Sequence, residues 1–266
     1  MIQAFLPDIL SALSGAAVGL VLGLVGGGGS ILAVPLLIYV VGITSTHLAL
    51  GTSAVAVGAA ALLNLIPHWR AGNIKWRCAF VFSFFGVIGA FAGSSIAKLV
   101  DGQALLAAFG VLMIVIGIVM LMKRGKEGDP LVRLSRKNAF TLGPRLSTSG
   151  FAVGLLAGFF GIGGGFLIVP GLMLATAMPI TFAVGTSLVS VASFGFATAT
   201  NYAISGLVDW RVALVFIAGG LIGGLIGVAL TGWLKSRQHL LQAGFAIMVI
   251  GIGISVVWRG LAPFFR

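Results

Sequence analysis

Two glycine clusters in this chain have the chemistry of an anion-binding backbone. They occupy residues 26–30, the first break, and residues 161–165, the second break, and a proline follows each at the same distance. Contiguous glycines interrupt a helix, and a helix that restarts after them points free N–H groups and its positive dipole end at the break. We therefore predict that an anionic ligand contacts the following residues: Gly28, Gly29, Ser30, Gly163, Gly164 and Gly165.

Hydroxyl side chains follow both breaks at equivalent distances. Thr52 and Ser53, like Thr186 and Ser187, fall near the start of the next apolar segment, where O–H groups suit the oxygens of an anion. Such hydroxyls also cap helices or bond to a preceding carbonyl, and the sequence favours neither role. Three accessory candidates lie near the end of the same segments, where an interfacial or structural role is the more common one: Asn64, His68 and Asn201.

The composition indicates that these segments lie in a lipid bilayer. The chain is 59% hydrophobic and 8% charged, with a mean hydropathy of +1.17, and residues 9–69 and 146–208 contain no charged side chain. A water-soluble globule needs more polar surface. We predict an all-α, multi-pass integral membrane protein. The net charge of +11 is distributed between apolar spans, which indicates topology signals and not nucleic-acid binding.

The chain contains one pattern twice. With a shift of 135 positions, and of 134 further downstream, glycines, the proline, Gly-Thr-Ser and Trp-Arg recur in register. Glycines spaced by four residues serve close helix packing. We predict that packing role for six of them: Gly15, Gly19, Gly23, Gly150, Gly154 and Gly158.

Three regions follow from this duplication. Residues 1–122 form a first membrane repeat, residues 123–147 a basic cytoplasmic linker, and residues 148–266 a second membrane repeat. We predict in each repeat a glycine-broken helix hairpin followed by three transmembrane helices. A hairpin inverts the second repeat, whereas a single tilted crossing gives parallel repeats with eight spans in total.

Charge favours inversion. The loop around Lys75 is basic and its counterpart around Asp209 is neutral, whereas the loop around Asp101 is neutral and its counterpart around Arg237 is basic. Under the positive-inside rule this exchange puts the Lys75 and Arg237 loops in the cytoplasm and the Asp101 and Asp209 loops outside. Duplicated halves with broken helices are typical of secondary transporters.

The chain lacks the residues of an enzyme. Three His and one Cys provide neither a metal-ligand spacing nor a nucleophile with a base, and a phosphate-binding GxxxxGK[ST] sequence is absent. We expect no cofactor and no metal. A passive anion channel or a membrane assembly factor is the alternative to a secondary transporter.

The chain resembles the sulfite exporter TauE/SafE family of permeases. The residues that carry this resemblance are the GxxxGxxxGxxGxGG run from Gly15, its copy from Gly150, the AxGTS boxes ending at Ser53 and Ser187, and the Gly...Trp-Arg elements. Only Ser30 and Ile162 interrupt otherwise glycine positions. The resemblance covers nearly the whole chain. It implies transport of a small anion, typically sulfite, an organosulfonate or a related sulfur compound, across the cytoplasmic (inner) membrane. Which anion is carried, in which direction, with which coupling ion (co-transported protons among them) and in which oligomeric state stays open.

Overall fold

A computed structural model describes residues 2–25, 27–122, 138–234 and 238–261. Within these ranges the chain is all-α, with ten α-helices and one short 3-10 helix. Before the linker lie α1 (Ile2–Val25), the 3-10 helix (Gly27–Leu32), α2 (Ala33–Tyr39), α3 (Thr46–Arg70), α4 (Trp76–Ala97) and α5 (Gly102–Met122). After it lie α6 (Ala139–Phe159), α7 (Gly165–Thr176), α8 (Ile180–Ile204), α9 (Trp210–Leu234) and α10 (Gln238–Leu261).

Six of these helices are long and apolar enough to cross a bilayer: α3, α4, α5, α8, α9 and α10. The breaks shorten the apolar segments around them, so that α7 holds only 12 residues. Helix α6 begins at Ala139, inside the range that the sequence assigned to the linker, while residues 123–137 lie outside the described part.

Two of the few acidic residues start helices. The Asp101 carboxylate accepts hydrogen bonds from the N–H groups of Gln103 and Ala104, at 2.9 and 3.3 Å, at the start of α5. The Asp209 carboxylate accepts a 3.0 Å bond from the N–H of Val212 at the start of α9. Both are N-caps, which satisfy donors that the helix leaves free.

Glycine allows α1 and α9 to pack backbone against backbone. Gly15 lies against the carbonyl of Phe216 and Gly19 against that of Gly220, with no space for a Cβ at either glycine. The contacts advance together along both helices, so α1 and α9 run parallel. Helices α6 and α4 pack in the same way, through Gly150 on Phe82, Gly154 on Gly86 and Gly158 on Ala90. The predicted packing role is confirmed for these five glycines; Gly23 falls outside the residues whose packing is described.

Helix α3 packs antiparallel to α8. Gly51, near the start of α3, contacts Tyr202 near the end of α8, whereas Gly58 contacts Gly195 about two turns earlier in α8. Helices α5 and α10 are antiparallel as well, because Gly110 meets Val257 while Gly117 meets Ile250. In both pairs the two partners occupy equivalent positions of the duplicated pattern.

The segment between α1 and α3 runs opposite to both of these helices. Helix α9 starts beside Thr52, where Asp209 N–H donates to the threonine hydroxyl, and its later residue Gly220 lines a crevice with Ala60, so α9 and α3 run the same way. Since α1 is parallel to α9, α1 and α3 also share a direction. The 3-10 helix and α2 must therefore lead back, and Gly29 accordingly lies against α1.

Candidate functional site

The second break is a tight turn of left-handed backbone. Gly161, Gly163 and Gly164 have φ angles of +63°, +63° and +76°, values that side chains other than glycine rarely tolerate. The turn is buried, and α7 restarts directly after it at Gly165. Within the described part of the chain, the N–H groups of Gly163 and Gly164 donate to no carbonyl. Successive N–H groups in turns that combine left- and right-handed residues can bind anions, and the N–H groups of Gly163 and Gly164 are candidates for this role.

Helix α3 holds this turn in place. The Ser53 hydroxyl lies 2.7 Å from the carbonyl oxygen of Gly161 and 2.9 Å from that of Leu50, and its proton is shared between these acceptors. Leu50 and Val57, two turns apart on α3, lie against the backbone of Gly161 and Gly163. Ser53 therefore fixes the carbonyl side of the turn, so that its hydroxyl proton is not free for a ligand.

The first break has a different conformation. It forms a right-handed 3-10 helix, Gly27–Leu32, which continues into α2 at Ala33. Gly28 and Gly29 lie in that helix, and Ser30 is buried and has an interaction partner. Since α7 restarts at Gly165, the equivalent of Ser30, the α-helix of the first copy begins three positions later. The two breaks thus present different backbone surfaces.

The Thr-Ser pairs lie at opposite ends of the α3–α8 pair. The Thr52 hydroxyl accepts a bond from the N–H of Asp209, and the Thr186 hydroxyl accepts one from the N–H of Lys75, each at 3.0 Å. Ser187 donates to the carbonyl of Val184, 2.8 Å away in its own helix. The structure therefore places Ser53 against the second break, whereas Thr52 contacts the loop before α9, and Thr186 and Ser187 belong to a separate group.

The accessory candidates have separate surroundings. Asn64 donates to the carbonyl of Ala60 in its own helix at 2.9 Å, and His68 lies near the end of α3. Asn201 is buried at the end of α8, where its amide nitrogen lies 3.1 Å from the carbonyl of Phe91 and 2.6 Å from the Ser94 hydroxyl.

Lys98, in the loop around Asp101 whose charge is neutral overall, completes the Asn201 cluster and was not predicted as part of a site. Its ammonium nitrogen lies 2.8 Å from the Asn201 side-chain oxygen, 3.2 Å from the Asn201 carbonyl and 2.9 Å from the Ser205 hydroxyl. A cation suits the negative end of the α8 dipole. In the sequence, the only indication of this cluster is that Asn201 and Ser205 are one helical turn apart.

An apolar crevice lies between α1, α3 and α9. Gly15 and Gly19, together with Ala56 and Ala60, form much of its lining. In the second copy Phe194 stands where Ala60 stands in the first, and its ring covers Gly86 and stacks on Phe82 at 6.1 Å. A hydrogen bond of 2.8 Å between the Ser83 and Ser190 hydroxyls adjoins this ring. The equivalent space between α6, α8 and α4 is therefore filled.

Comparison with known proteins agrees with this architecture. The family model described as sulfite exporter TauE/SafE matches residues 11–256. The chain belongs to the sulfite exporter TauE/SafE family. A probable membrane transporter protein of Xylella fastidiosa is 50% identical over 251 residues, which cover 94% of each chain. The probable membrane transporter protein YunE of Bacillus subtilis is 26% identical over 95% of this chain and 98% of its own. No solved structure matches.

Membership in the TauE/SafE family assigns the general activity. The protein is a multi-pass integral membrane transporter and not an enzyme. Its substrate is a small molecule that crosses a lipid bilayer.

Proposed function

We propose that this protein is a secondary transporter of a small anion, with sulfite or an organosulfonate as the first candidates, in the cytoplasmic (inner) membrane. One observation carries the proposal: the turn at Gly161, Gly163 and Gly164 is left-handed and buried, and the N–H groups of Gly163 and Gly164 donate to no carbonyl among the described residues. The family description, which names sulfite, supports the choice of anion.

Backbone N–H groups supply the positive potential that an anion needs. Residues 9–69 and 146–208, which contain both breaks, have no Lys or Arg. A buried lysine would be costly inside the membrane, whereas a helix N-terminus offers donors and a partial positive charge without that cost. The proposed site therefore attracts an anion and releases it without a full countercharge.

Polar groups beside the breaks complete the proposed site. Thr52 and Thr186 accept bonds from backbone N–H groups, which leaves the proton of each hydroxyl to donate. Ser53 acts by positioning the turn. Proposed substrate contacts are Gly28, Gly29, Ser30, Thr52, Gly163, Gly164, Gly165 and Thr186, with Asn64, His68 and Asn201 as accessory groups. Ser53 and Ser187 were predicted as contacts as well, but each donates its proton to a backbone carbonyl, so we propose a positioning role for both.

We propose further that residues 1–122 and 148–266 are inverted repeats joined by a cytoplasmic linker. Three features of the fold support this proposal. Helices α3 and α8 are antiparallel, helices α5 and α10 are antiparallel, and the segment between α1 and α3 runs back along α1. The loops around Gly72 and Gly206 lie at opposite ends of α3, because the first follows Arg70 and the second contacts Gly51. Basic residues concentrate at the Arg70 end, as the positive-inside rule requires for the cytoplasm.

Flux measurements in proteoliposomes test the function. A panel of labelled sulfite, sulfoacetate and thiosulfate identifies the substrate, and saturable, gradient-driven uptake distinguishes a transporter from a passive channel. Varying the proton gradient shows whether protons accompany the anion. Absence of flux for every anion of the panel contradicts the proposal.

Gly163→Ala tests the site itself. The substitution strains a backbone with φ +63° and brings a methyl group against Val57, so we expect loss of flux and of substrate-induced thermal stabilisation. Gly206→Ala is the matched control, since Gly206 has φ +69° and nothing within 4 Å of an added Cβ. The Gly206→Ala variant therefore measures the effect of backbone strain without a steric clash. Equal flux in the two variants would locate the substrate elsewhere.

A further inference from the structure

Two buried hydroxyls on α8 have no hydrogen-bond partner among the described residues. Thr198 and Tyr202 are both fully buried, at 0% exposure, and neither Thr198 Oγ1 nor the Tyr202 hydroxyl oxygen has a partner. Burial of an unpaired hydroxyl costs free energy, and most buried polar groups in proteins are paired. Two such groups one helical turn apart require an explanation other than stability.

Thr198 and Tyr202 lie on the same face of α8 as Val191, which approaches the second break. Val191, seven residues before Thr198 and therefore on the same helix face, approaches the Cβ direction of Gly163 to 3.6 Å. At the other end of this face, Tyr202 lies beside Gly51, the neighbour of the Leu50 side chain that covers Gly161. Thr198 lies between Val191 and Tyr202 along this face.

We propose that Thr198 and Tyr202 bind the transported oxyanion, donating their hydroxyl protons to its oxygens while the N–H groups of Gly163 and Gly164 contact it from the turn. This inference rests on the proposed anion site at the second break and adds its side-chain donors. A ligand of this kind has several oxygens that accept hydrogen bonds at once, as sulfite and a sulfonate group do. Neutral O–H donors bind such an anion without trapping it.

The duplication gives these positions a counterpart in the first copy. With the shift of 134, Thr198 corresponds to Asn64 and Tyr202 to His68, and the His68 Nδ1 atom is likewise buried without a partner among the described residues. Because α3 and α8 are antiparallel, the two pairs lie toward opposite ends of the bundle. Each end of the α3–α8 pair therefore has one pair of polar side chains at equivalent positions.

Thr198→Val and Tyr202→Phe remove the hydroxyls and keep the shapes. We expect each purified full-length variant to unfold at the same temperature as the unsubstituted protein, or higher, because a buried unpaired hydroxyl is lost. We expect the apparent affinity for sulfite, measured by thermal stabilisation, to fall roughly tenfold in each, as for a lost hydrogen bond to a charged group. Sodium chloride at equal ionic strength corrects for salt effects.

Two variants serve as matched controls. In Thr176→Val the lost hydroxyl is paired, donating to the Leu172 carbonyl at 2.7 Å and accepting from the Met178 N–H at 3.3 Å, so stability should fall with no change in affinity. Tyr39→Phe keeps the ring under Arg259 and should change neither quantity.

The results separate this inference from the proposed function. If Gly163→Ala abolishes the response to sulfite while Thr198→Val and Tyr202→Phe bind normally, the site stands and the inference is wrong. A loss of stability equal to that of Thr176→Val, with unchanged affinity, also overturns it, since the hydroxyls then serve the fold. A protein that responds to no anion of the panel contradicts both.

Discussion

Thr52 Oγ1 accepts a 3.0 Å hydrogen bond from the backbone N–H of Asp209, a residue 157 positions later in the other half of the chain. The reciprocal bond joins Thr186 to the N–H of Lys75, 111 positions earlier. Each half thus holds the loop before the fourth helix of the other. These bonds fix where α4 and α9 begin relative to α8 and α3.

Thr52→Val and Thr186→Val should lower the free energy of unfolding by about 1 kcal/mol each, because a partly buried N–H loses its acceptor. Thermal unfolding without substrate measures the effect. Thr148→Val is the control, since its exposed hydroxyl bonds only within its own helix. Midpoints equal to that of the control would show that the loops need no such support.

Single cysteines should report opposite sides of the membrane at Ala71 and Ile204. In a Cys78→Ser background, Ala71→Cys and Ser236→Cys should react with an impermeant thiol reagent from the cytoplasm, and Gln103→Cys and Ile204→Cys from outside. Ala71 and Ile204 are exposed at the ends of α3 and α8, where no other part of the described chain covers them. Labelling of Ala71→Cys and Ile204→Cys from one side would require parallel repeats.

Phe194→Ala should lower the free energy of unfolding by about 3 kcal/mol, as a large cavity opens where the ring covers Gly86 and stacks on Phe82. Chemical or thermal unfolding of the purified protein tests this. Phe196→Ala, at a position that is 41% exposed, removes the same side chain from the surface and should cost far less. Similar losses in both would mean that the neighbouring helices close the space that the Phe194 ring leaves.

Lys98→Met should lower stability by about 1 to 3 kcal/mol, because the Asn201 oxygens and the Ser205 hydroxyl lose a shared cationic donor. Arg211→Met provides the contrast. Its ion pair with Asp8, at 2.6 Å, is largely exposed on the arginine side, and exposed pairs contribute little. Thermal midpoints that rank the two variants in the reverse order would contradict the assigned role of Lys98.

Uncharged apolar runs and the duplication predicted most of the helices, since lipid permits few alternatives to a continuous helix. The packing glycines were predicted from their spacing. Gly19 and Gly154 each belong to a series of glycines four residues apart, and in membrane helices that spacing commonly serves close helix packing. The start of α6 at Ala139 was not predicted, because Pro144 and Arg145 lie inside this helix and are typical of a boundary between an apolar span and a loop.

Details of the site depended on distant partners. Thr52 and Ser53 are adjacent and similar, yet one accepts from Asp209 and the other donates to Gly161, a difference that no local pattern contains. The two breaks look alike in sequence, but among the described residues only the second adopts left-handed backbone. The residue types of Thr198 and Tyr202 did not indicate a role in binding. Only their correspondence to Asn64 and His68 in the duplicated pattern points to them.

The close contact of α1 with α9 has a mechanical consequence. Gly15 and Gly19 leave no gap to the α9 backbone, so a displacement of α1 carries α9 with it, and α6 is coupled to α4 in the same manner. Each coupled pair takes one helix from either half of the gene product. We therefore expect the helices that move during transport to move as these exchanged pairs, and not as two independent covalent halves.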